Sequence, residues 1–397
     1  MPMQRLGIAA RTLTHALGTG VDALWHAITT QQSGLRKNEL TWCELDCWIG
    51  ASPEVDSVCL PEDLIHWDCR NHRLVWLALQ QPQFREVLEQ IKTEYGPARI
   101  GLVIGTSTSG IRSTEIAYAA RKATGQWPDS YSFQYTHSTD ALCRFVSHIL
   151  GLQGPAVGIA SACASSAKVF LTAQRWIEVG LVDAVLVGGA DSLCLSTLHG
   201  FNALQLLSDE PCRPFDVRRK GISIGEAAGF VILTREQRVA HEVQFLGGGE
   251  SSDAYHITTP HPEGQGARQA MAMALKAANL QSHALHYVNA HGTATPSNDR
   301  AEAAALEALL TDSRVPVSST KGYTGHTLGA AGITEAILTI EALKRQVLPA
   351  LCDLEQPDPG TNLNLIKTPR PARLDYAMSN SFGFGGTNCS LIFGRGA

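Results

Sequence analysis

No CxxC pair occurs in the chain, and its ten cysteines, Cys43, Cys47, Cys59, Cys69, Cys143, Cys163, Cys194, Cys212, Cys352 and Cys389, are scattered without the density of a small disulfide scaffold. Most are therefore expected to be reduced and to serve as small apolar core residues. Positive charge is not in excess either: 32 Lys and Arg against 37 Asp and Glu leave a formal charge of -5 and a pI near 6.3. That excludes a general attraction to nucleic acid or anionic lipid and requires any basic patch to be local. The opening stretch MPMQRLGIAARTLTHALG has an apolar run between Arg5 and Arg11 too short for a signal-peptide core or a spanning helix, so a cytoplasmic protein without a membrane span is expected. Glycine is plentiful at 36 residues, yet neither GFGGTN at 383–388 nor FLGGGESS at 245–252 has dinucleotide or Walker spacing. No nucleotide or other cofactor is expected. The glycines at 383–386 suit a loop whose amides approach a ligand closely.

What is present is an α/β pattern in a chain of 397 residues, 44% hydrophobic, long enough for two domains or one duplicated unit. Apolar runs at 98–106, from 167, from 183 and from 227 alternate with alanine-rich helical stretches. After residue 236 the pattern restarts: EVQFLGGGESS, the helix GARQAMAMALKAANL, the strand HYVNAHGT and the helix AEAAALEALL. A final segment, SNSFGFGGTNCSLIFG, runs from a glycine loop into a last strand. No low-complexity region or linker separates the parts. Two similar halves, 1–236 and 237–397, are expected to form one compact unit.

Three residues stand where chemistry is expected. Cys163 lies in GIASACASSAKVFLTAQRW, where a strand-like run ends in small residues and an amphipathic helix begins. Helix N-terminal amides favour thiolate over thiol, so a lowered pKa is expected there, and the small neighbours leave room for a thioester. His291, in NAHGTATPSNDRAE, follows an apolar strand, and His326, in STKGYTGHTLGAAGITEAI, sits in another glycine-flanked turn before a helix. Ligands and catalytic groups gather at such strand ends. With fourteen histidines in the chain, it is the equivalent settings of these two, alongside Cys163 in a third, that single them out. A zinc site from the trio is formally possible, but none of the three sits in a short chelating spacing, so no metal is expected.

The strings SACASS, NAHGTATPSND, KGYTGHTLGAAG and SNSFGFGGTN, in this order, resemble the signature set of the β-ketoacyl-acyl carrier protein synthases of the thiolase-like superfamily. The likeness runs from about residue 98 onward. It implies a duplicated α/β thiolase-like fold in five layers, α/β/α/β/α, usually dimeric. It implies that Cys163 is acylated from a carrier-protein thioester and that His291 and His326 decarboxylate malonyl-carrier protein, whose carbanion equivalent attacks the acyl-cysteine. A thiolate both attacks and leaves well, and two imidazole N–H donors suit the developing enolate. By the same resemblance the amides of Cys163 and Phe384 form a second oxyanion hole, Phe384 is a gate, and Asp253 belongs to a loop that moves with it. Lys321 and Glu302 are implied to orient the histidines. Thr108 and Ser109, in GTSTSGIRSTE, are implied to shape the acyl pocket.

A thiolase would carry a second cysteine in the 326 loop, a chain-initiating synthase an asparagine, and a chain-length factor no nucleophile; this chain has His326 and Cys163. A non-catalytic scaffold that binds acyl carrier protein and a thiolase-like acyltransferase are the alternative readings. The stretch 32–97 departs from the housekeeping pattern in its Trp and Cys content, the N-terminal strand reads as abbreviated, and the 105–115 loop resembles synthases of aryl polyene and related pathways. The expected partners are acyl- and malonyl-loaded carrier protein and a second subunit, identical or related. Carrier proteins are acidic, so a docking patch is expected at Arg121 and Lys122, or at Arg218 and Lys220.

Overall fold

The structure, a computed structural model, describes residues 4–235, 242–310 and 314–396. The expected boundary between halves, at 236/237, lies outside the described residues. The first half contributes strands β1 (Leu6–His15), β2 (Ile100–Gly105), β3 (Ala156–Ile159), β4 (Ala184–Asp191) and β5 (Ala227–Arg235). The second contributes β6 (Val243–Ser252), β7 (Tyr287–Asn289), β8 (Pro316–Ser318), β9 (Tyr376–Gly383) and β10 (Thr387–Arg395).

Strand order is β3-β2-β4-β5-β1 in one half and β8-β7-β9-β10-β6 in the other. β2 runs parallel to β3 and β4, and β5 antiparallel to β4 and β1. Likewise β7 is parallel to β8 and β9, and β10 antiparallel to β9 and β6. The second half thus repeats the first strand for strand. Leu6 and Gly7 pair with Phe245 and Gln244, which joins β1 to β6 and the two sheets to each other. The N-terminal strand is therefore a correction to the sequence reading: β1 is ten residues long and central.

Around the sheets pack α1 (Arg70–Leu79), α2 (Pro82–Tyr95), α3 (Ile111–Thr124), α4 (Ala141–Leu150), α5 (Ser165–Glu178), α6 (Leu195–Ala203), α7 (Gln265–Ala278), α8 (Pro296–Leu309) and α9 (Ala331–Arg345). α5 and α9 touch each other and strands of both halves, so they form the middle layer. α1, α2 and α4 cover the first sheet, while α7 lies on the second with α8 beside it. This is the expected α/β/α/β/α order.

The sequence explains the middle layer. AGITEAILTIEALKR has apolar residues on every side, and each residue from Ala331 to Leu343 is buried, as a helix without a polar face must be. Its two acids then need partners: Glu341 pairs with Arg11 and Arg345, and Glu335 with Lys321. β4, AVLVGGAD, is buried along all eight residues, as a strand covered on both faces is. Nine of the ten cysteines are buried and Cys59 is exposed; none forms a disulfide. Cys43 and Cys47 pack with Ile49, Leu193 and Ile222, so cysteines of the unusual N-terminal stretch fill a small apolar cluster. None of the described helices is long and apolar enough to cross a membrane.

Candidate active site

Beyond β3 the chain reverses through Ala162, whose φ of 45° is left-handed, at a cost of about 1 kcal/mol for a residue with a Cβ. Local bonds hold it there. The Ser165 hydroxyl donates to Ala162 O at 2.6 Å and accepts Ser161 N–H at 2.8 Å, and α5 begins at Ser165. Cys163 is thus placed just ahead of a helix start, as expected. Across from it β9 ends at Gly383, where a Cβ would stand 3.0 Å from Cys163 N. Glycine permits that approach, and the Phe384 N–H reaches the Cys163 sulfur.

His291 follows β7. Glu302, on α8, accepts the N–H groups of both His291 and Gly292 at 2.8 Å and so clamps the turn itself. Lys321 Nζ lies 3.2 Å from His291 Nδ1, also donates to His291 O, and forms a buried ion pair with Glu335. An ammonium can only donate, so His291 Nδ1 accepts and its proton sits on Nε2. His326 is held by its backbone, donating to Ser223 O at 2.7 Å and accepting Gly225 N–H at 2.9 Å. Leu328 N–H donates to His326 Nδ1 at 3.3 Å, which assigns that imidazole the Nε2–H tautomer too. His326 Nε2 lies 3.1 Å from Cys163 Sγ, and the two imidazoles meet edge to face with centroids 5.2 Å apart.

Burial sets the electrostatics. It holds both imidazoles well below the usual histidine range, with the Lys321 charge adding to the effect, so both are neutral N–H donors. It also pushes the Cys163 thiol up to about 11, against the opposing pull of Lys321 and the Phe384 amide. This corrects the expectation of a lowered thiol pKa: desolvation outweighs the helix-start position. Glu302 and Glu335 are raised to about 7 by the same cause.

The ligand atoms of Cys163, His291 and His326 lie within 4.8 Å of one another, a spacing one ion could bridge. The donor set does not suit it. A metal takes an imidazole lone pair, and here both Nε2 atoms carry protons. Moving them to Nδ1 would set N–H against the Leu328 amide and the Lys321 ammonium.

A cleft of about 610 Å³, counted to its open mouth, has Cys163, His291 and His326 among its walls, with Thr293, Thr295 and Phe384. Those first three are buried, whereas His256, Thr259 and Ser297 are exposed and mark the mouth. Phe384 is half-buried against Phe201, with centroids 5.3 Å apart. Its loop is stitched to that of Asp253: Asp253 N–H donates to Gly386 O at 2.8 Å, and Gly385 N–H to Ile257 O at 2.7 Å. The Asp253 carboxylate accepts from Asn388 Nδ2 at 2.8 Å.

Other expected residues lie elsewhere. Thr108 donates its hydroxyl to Asp191 at 2.9 Å, and Ser109 its own to the carbonyls of Thr136 and Ser138 at 3.2 and 3.0 Å; neither lines the cleft. Arg121 and Lys122 are exposed on α3, Arg121 over the Trp127 ring, and neither forms an ion pair among the described residues. Arg218 pairs with Asp216 and Glu355, and Lys220 with Asp209 and Glu210. Lys321 and Glu302 both contact His291, as expected of residues that orient it, Lys321 at the ring and the carbonyl with Glu335 as its carboxylate and Glu302 at the backbone amide; neither contacts His326. Glu335 and Asp191 were not singled out from the sequence. Each carried a signal, an acid inside a helix without a polar face and an acid ending an apolar strand.

Profiles described as β-ketoacyl synthase, N-terminal domain, and β-ketoacyl synthase, C-terminal domain, match residues 78–238 and 244–355. A 3-oxoacyl-[acyl-carrier-protein] synthase 2 of Vibrio harveyi is 37% identical over 317 residues, covering 76% of each chain. The enzyme of that name from Coxiella burnetii is 31% identical over 414 aligned positions, covering 100% of this chain and 99% of its own. Among solved structures, the ketosynthase ApeO, in complex with its chain length factor ApeC from Xenorhabdus doucetiae, superposes with a TM-score of 0.90 at 37% identity, covering 99% of this chain and 98% of that one.

Proposed function

Because this chain belongs to the β-ketoacyl synthase family, we propose that Cys163 holds the acyl group while His291 and His326 act on the malonyl thioester. The activity is that of a 3-oxoacyl-acyl carrier protein synthase, an acyltransferase that performs ketosynthase condensation in fatty acid or polyketide biosynthesis. The observation that carries the assignment of roles is the 3.1 Å approach of His326 Nε2 to Cys163 Sγ, with the Nδ1 of each histidine occupied by a donor.

In the first half-reaction the Cys163 sulfur attacks the carbonyl of acyl-carrier protein. The oxyanion is held by the amides of Cys163 and Phe384, the carrier sulfur leaves, and the cysteine proton ends on it. In the second, malonyl-carrier protein loses carbon dioxide, and the bonding pair moves toward the thioester oxygen as an enolate. The two Nε2–H groups stabilise that charge without giving up their protons. The enolate carbon attacks the acyl-cysteine carbonyl, the second tetrahedral intermediate expels the Cys163 thiolate, which takes a proton from solvent to restore the thiol, and 3-oxoacyl-carrier protein departs. Lys321 and Glu335 keep His291 a donor, and Glu302 fixes its turn. Phe384 and Asp253 form the gate. Thr108 and Ser109 shape the acyl pocket as parts of a fixed loop.

Acyl- and malonyl-loaded carrier protein are the partners in this reading, docking at Arg121 and Lys122 and, more weakly, at Arg218 and Lys220, which are already paired. The second subunit has the same fold, as a further copy or a related chain, and the ApeO–ApeC complex supports the latter. Its contact is the β3 edge, where Ala156, Val157 and Gly158 are exposed. Halves 1–236 and 237–397, a cytoplasmic location and a fatty acid or polyketide/aryl polyene-type pathway complete the proposal.

Intact-mass analysis tests it. Incubation with acyl-carrier protein should add one acyl group, on Cys163, and malonyl-carrier protein should then remove it as product. An adduct on another residue, or none, contradicts the assignment.

A further inference from the structure

Asp191, the last residue of β4, is fully buried and receives donors from two separate segments. From the loop after β2 come the hydroxyl of Thr106 at 2.7 Å, the amides of Ser107 and Thr108 at 2.9 Å each, the Thr108 hydroxyl at 2.9 Å and the Ser107 hydroxyl. From the second half comes the Gly329 amide at 2.6 Å. Among the described residues no cation pairs with it, so its charge is met by aligned N–H and O–H groups alone.

The Gly329 contact leads to the reacting centre. Gly329 follows Leu328, whose φ of 54° is left-handed and whose N–H donates to His326 Nδ1. The approach is tight: a Cβ on Gly329 would stand 2.6 Å from Asp191 Oδ2 and 2.7 Å from Ser107 N. A left-handed leucine needs its surroundings to hold it, and Asp191 grips the next amide along.

We propose that Asp191 is a positioning residue for the condensation: by holding the Gly329 amide it fixes the 327–329 turn, which keeps Leu328 N–H on His326 Nδ1 and the imidazole proton on Nε2, toward Cys163. This rests on the roles given to Cys163 and His326 above. Asp191 touches no reacting atom. It couples the 106–108 loop of the first half to the histidine of the second, so a change in that loop reaches His326 through one carboxylate.

The test uses the full chain. In the unsubstituted protein, ¹⁵N spectra of labelled histidine, with His326 assigned by loss of its signals in His326→Asn, should show the Nε2–H tautomer. A protonated Nδ1 overturns the proposal whatever the enzyme's activity. Asp191→Asn and Gly329→Ala break the same contact from its two sides. Each should shift the His326 signals toward mixed tautomers. Placed on Cys163→Gln, each should slow carbon dioxide release from malonyl-carrier protein by about 10-fold, short of the ~10²-fold expected when a donor is lost outright. Alkylation of Cys163 should not slow in Asp191→Asn, since removing a negative charge beside the thiol favours thiolate. Unchanged tautomer and carbon dioxide release in both variants overturn the proposal, as does an equal slowing of alkylation and decarboxylation in both. If Cys163→Gln itself releases no carbon dioxide, the assigned roles fail, and the tautomer measurement still decides the part played by Asp191.

Discussion

His326 Nε2 and Cys163 Sγ lie 3.1 Å apart, and because Leu328 N–H occupies Nδ1, the imidazole proton lies between them. Both groups are neutral at rest. The histidine is a donor to the sulfur and to whatever oxygen enters beside it, so it does not serve as the base that makes the thiolate.

A pH dependence follows for the thiol. Burial raises Cys163 to about 11, so the thiolate fraction grows tenfold per pH unit across the neutral and mildly alkaline range. Iodoacetamide alkylation of Cys163, followed by mass spectrometry, should keep accelerating from pH 7 to about 10. A plateau reached below pH 8 would mean that the charge of Lys321 and the helix start outweigh burial.

The Lys321–Glu335 pair should be costly to break from one side. Glu335→Ala leaves a buried ammonium without its carboxylate, and such a loss typically costs about 3–5 kcal/mol. Urea unfolding should show it, and adding Lys321→Met should recover part of the loss. A Glu335→Ala variant as stable as the parent would show that Lys321 finds solvent or another partner.

Much of this site was legible in the chain because its key residues follow apolar strands and precede helices. Cys163 and His291 each occupy such a junction, whereas His326 follows a short helical turn, Lys321–Thr324, and precedes α9. The repeated pattern on either side of residue 236 foretold two matched halves. What the sequence could not convey was pairing between separate elements. Glu335 lies 14 residues from Lys321 on another helix of the same half, and Asp191 is 138 residues from Gly329, in the other half. Only the packed middle layer brings them together. The thiol pKa departs from the sequence expectation for a related reason: helix-start position is local, whereas burial depends on β9 and the 326 turn closing over the sulfur. The place of β1 between β5 and β6 is hidden in the sequence by its glycine-poor opening.

Docking should discriminate between the two basic pairs. Arg121 and Lys122 are exposed without carboxylate partners among the described residues, whereas Arg218 and Lys220 are paired. Reversing the charge of Arg121 and Lys122 should raise the apparent KM for carrier-bound substrate by about 10-fold, equal to ~1.4 kcal/mol, and leave a small thioester mimic unaffected. Equal effects on both substrates would refute the patch.

The β3 edge should govern assembly. Val157 is 37% exposed on a strand that, among the described residues, pairs on one side only, and an unpaired edge is a template for another chain. Val157→Lys should shift the species seen in sedimentation velocity from dimer to monomer. An unchanged dimer would place the interface elsewhere.

The central claim is that the two histidines act as N–H donors to the malonyl thioester and do not take the cysteine's proton. Cys163→Gln mimics the loaded site in bulk and polarity, so it should release carbon dioxide from malonyl-carrier protein without forming product. Adding His326→Ala or His291→Ala removes one donor from the enolate and should lower that release by about 10²- to 10³-fold, with effects that need not add because both donors serve one oxygen. The decisive measurement is the rate of carbon dioxide release by Cys163→Gln and by the two double variants. A large loss in both doubles is the predicted result; doubles that decarboxylate as fast as Cys163→Gln alone would contradict the mechanism.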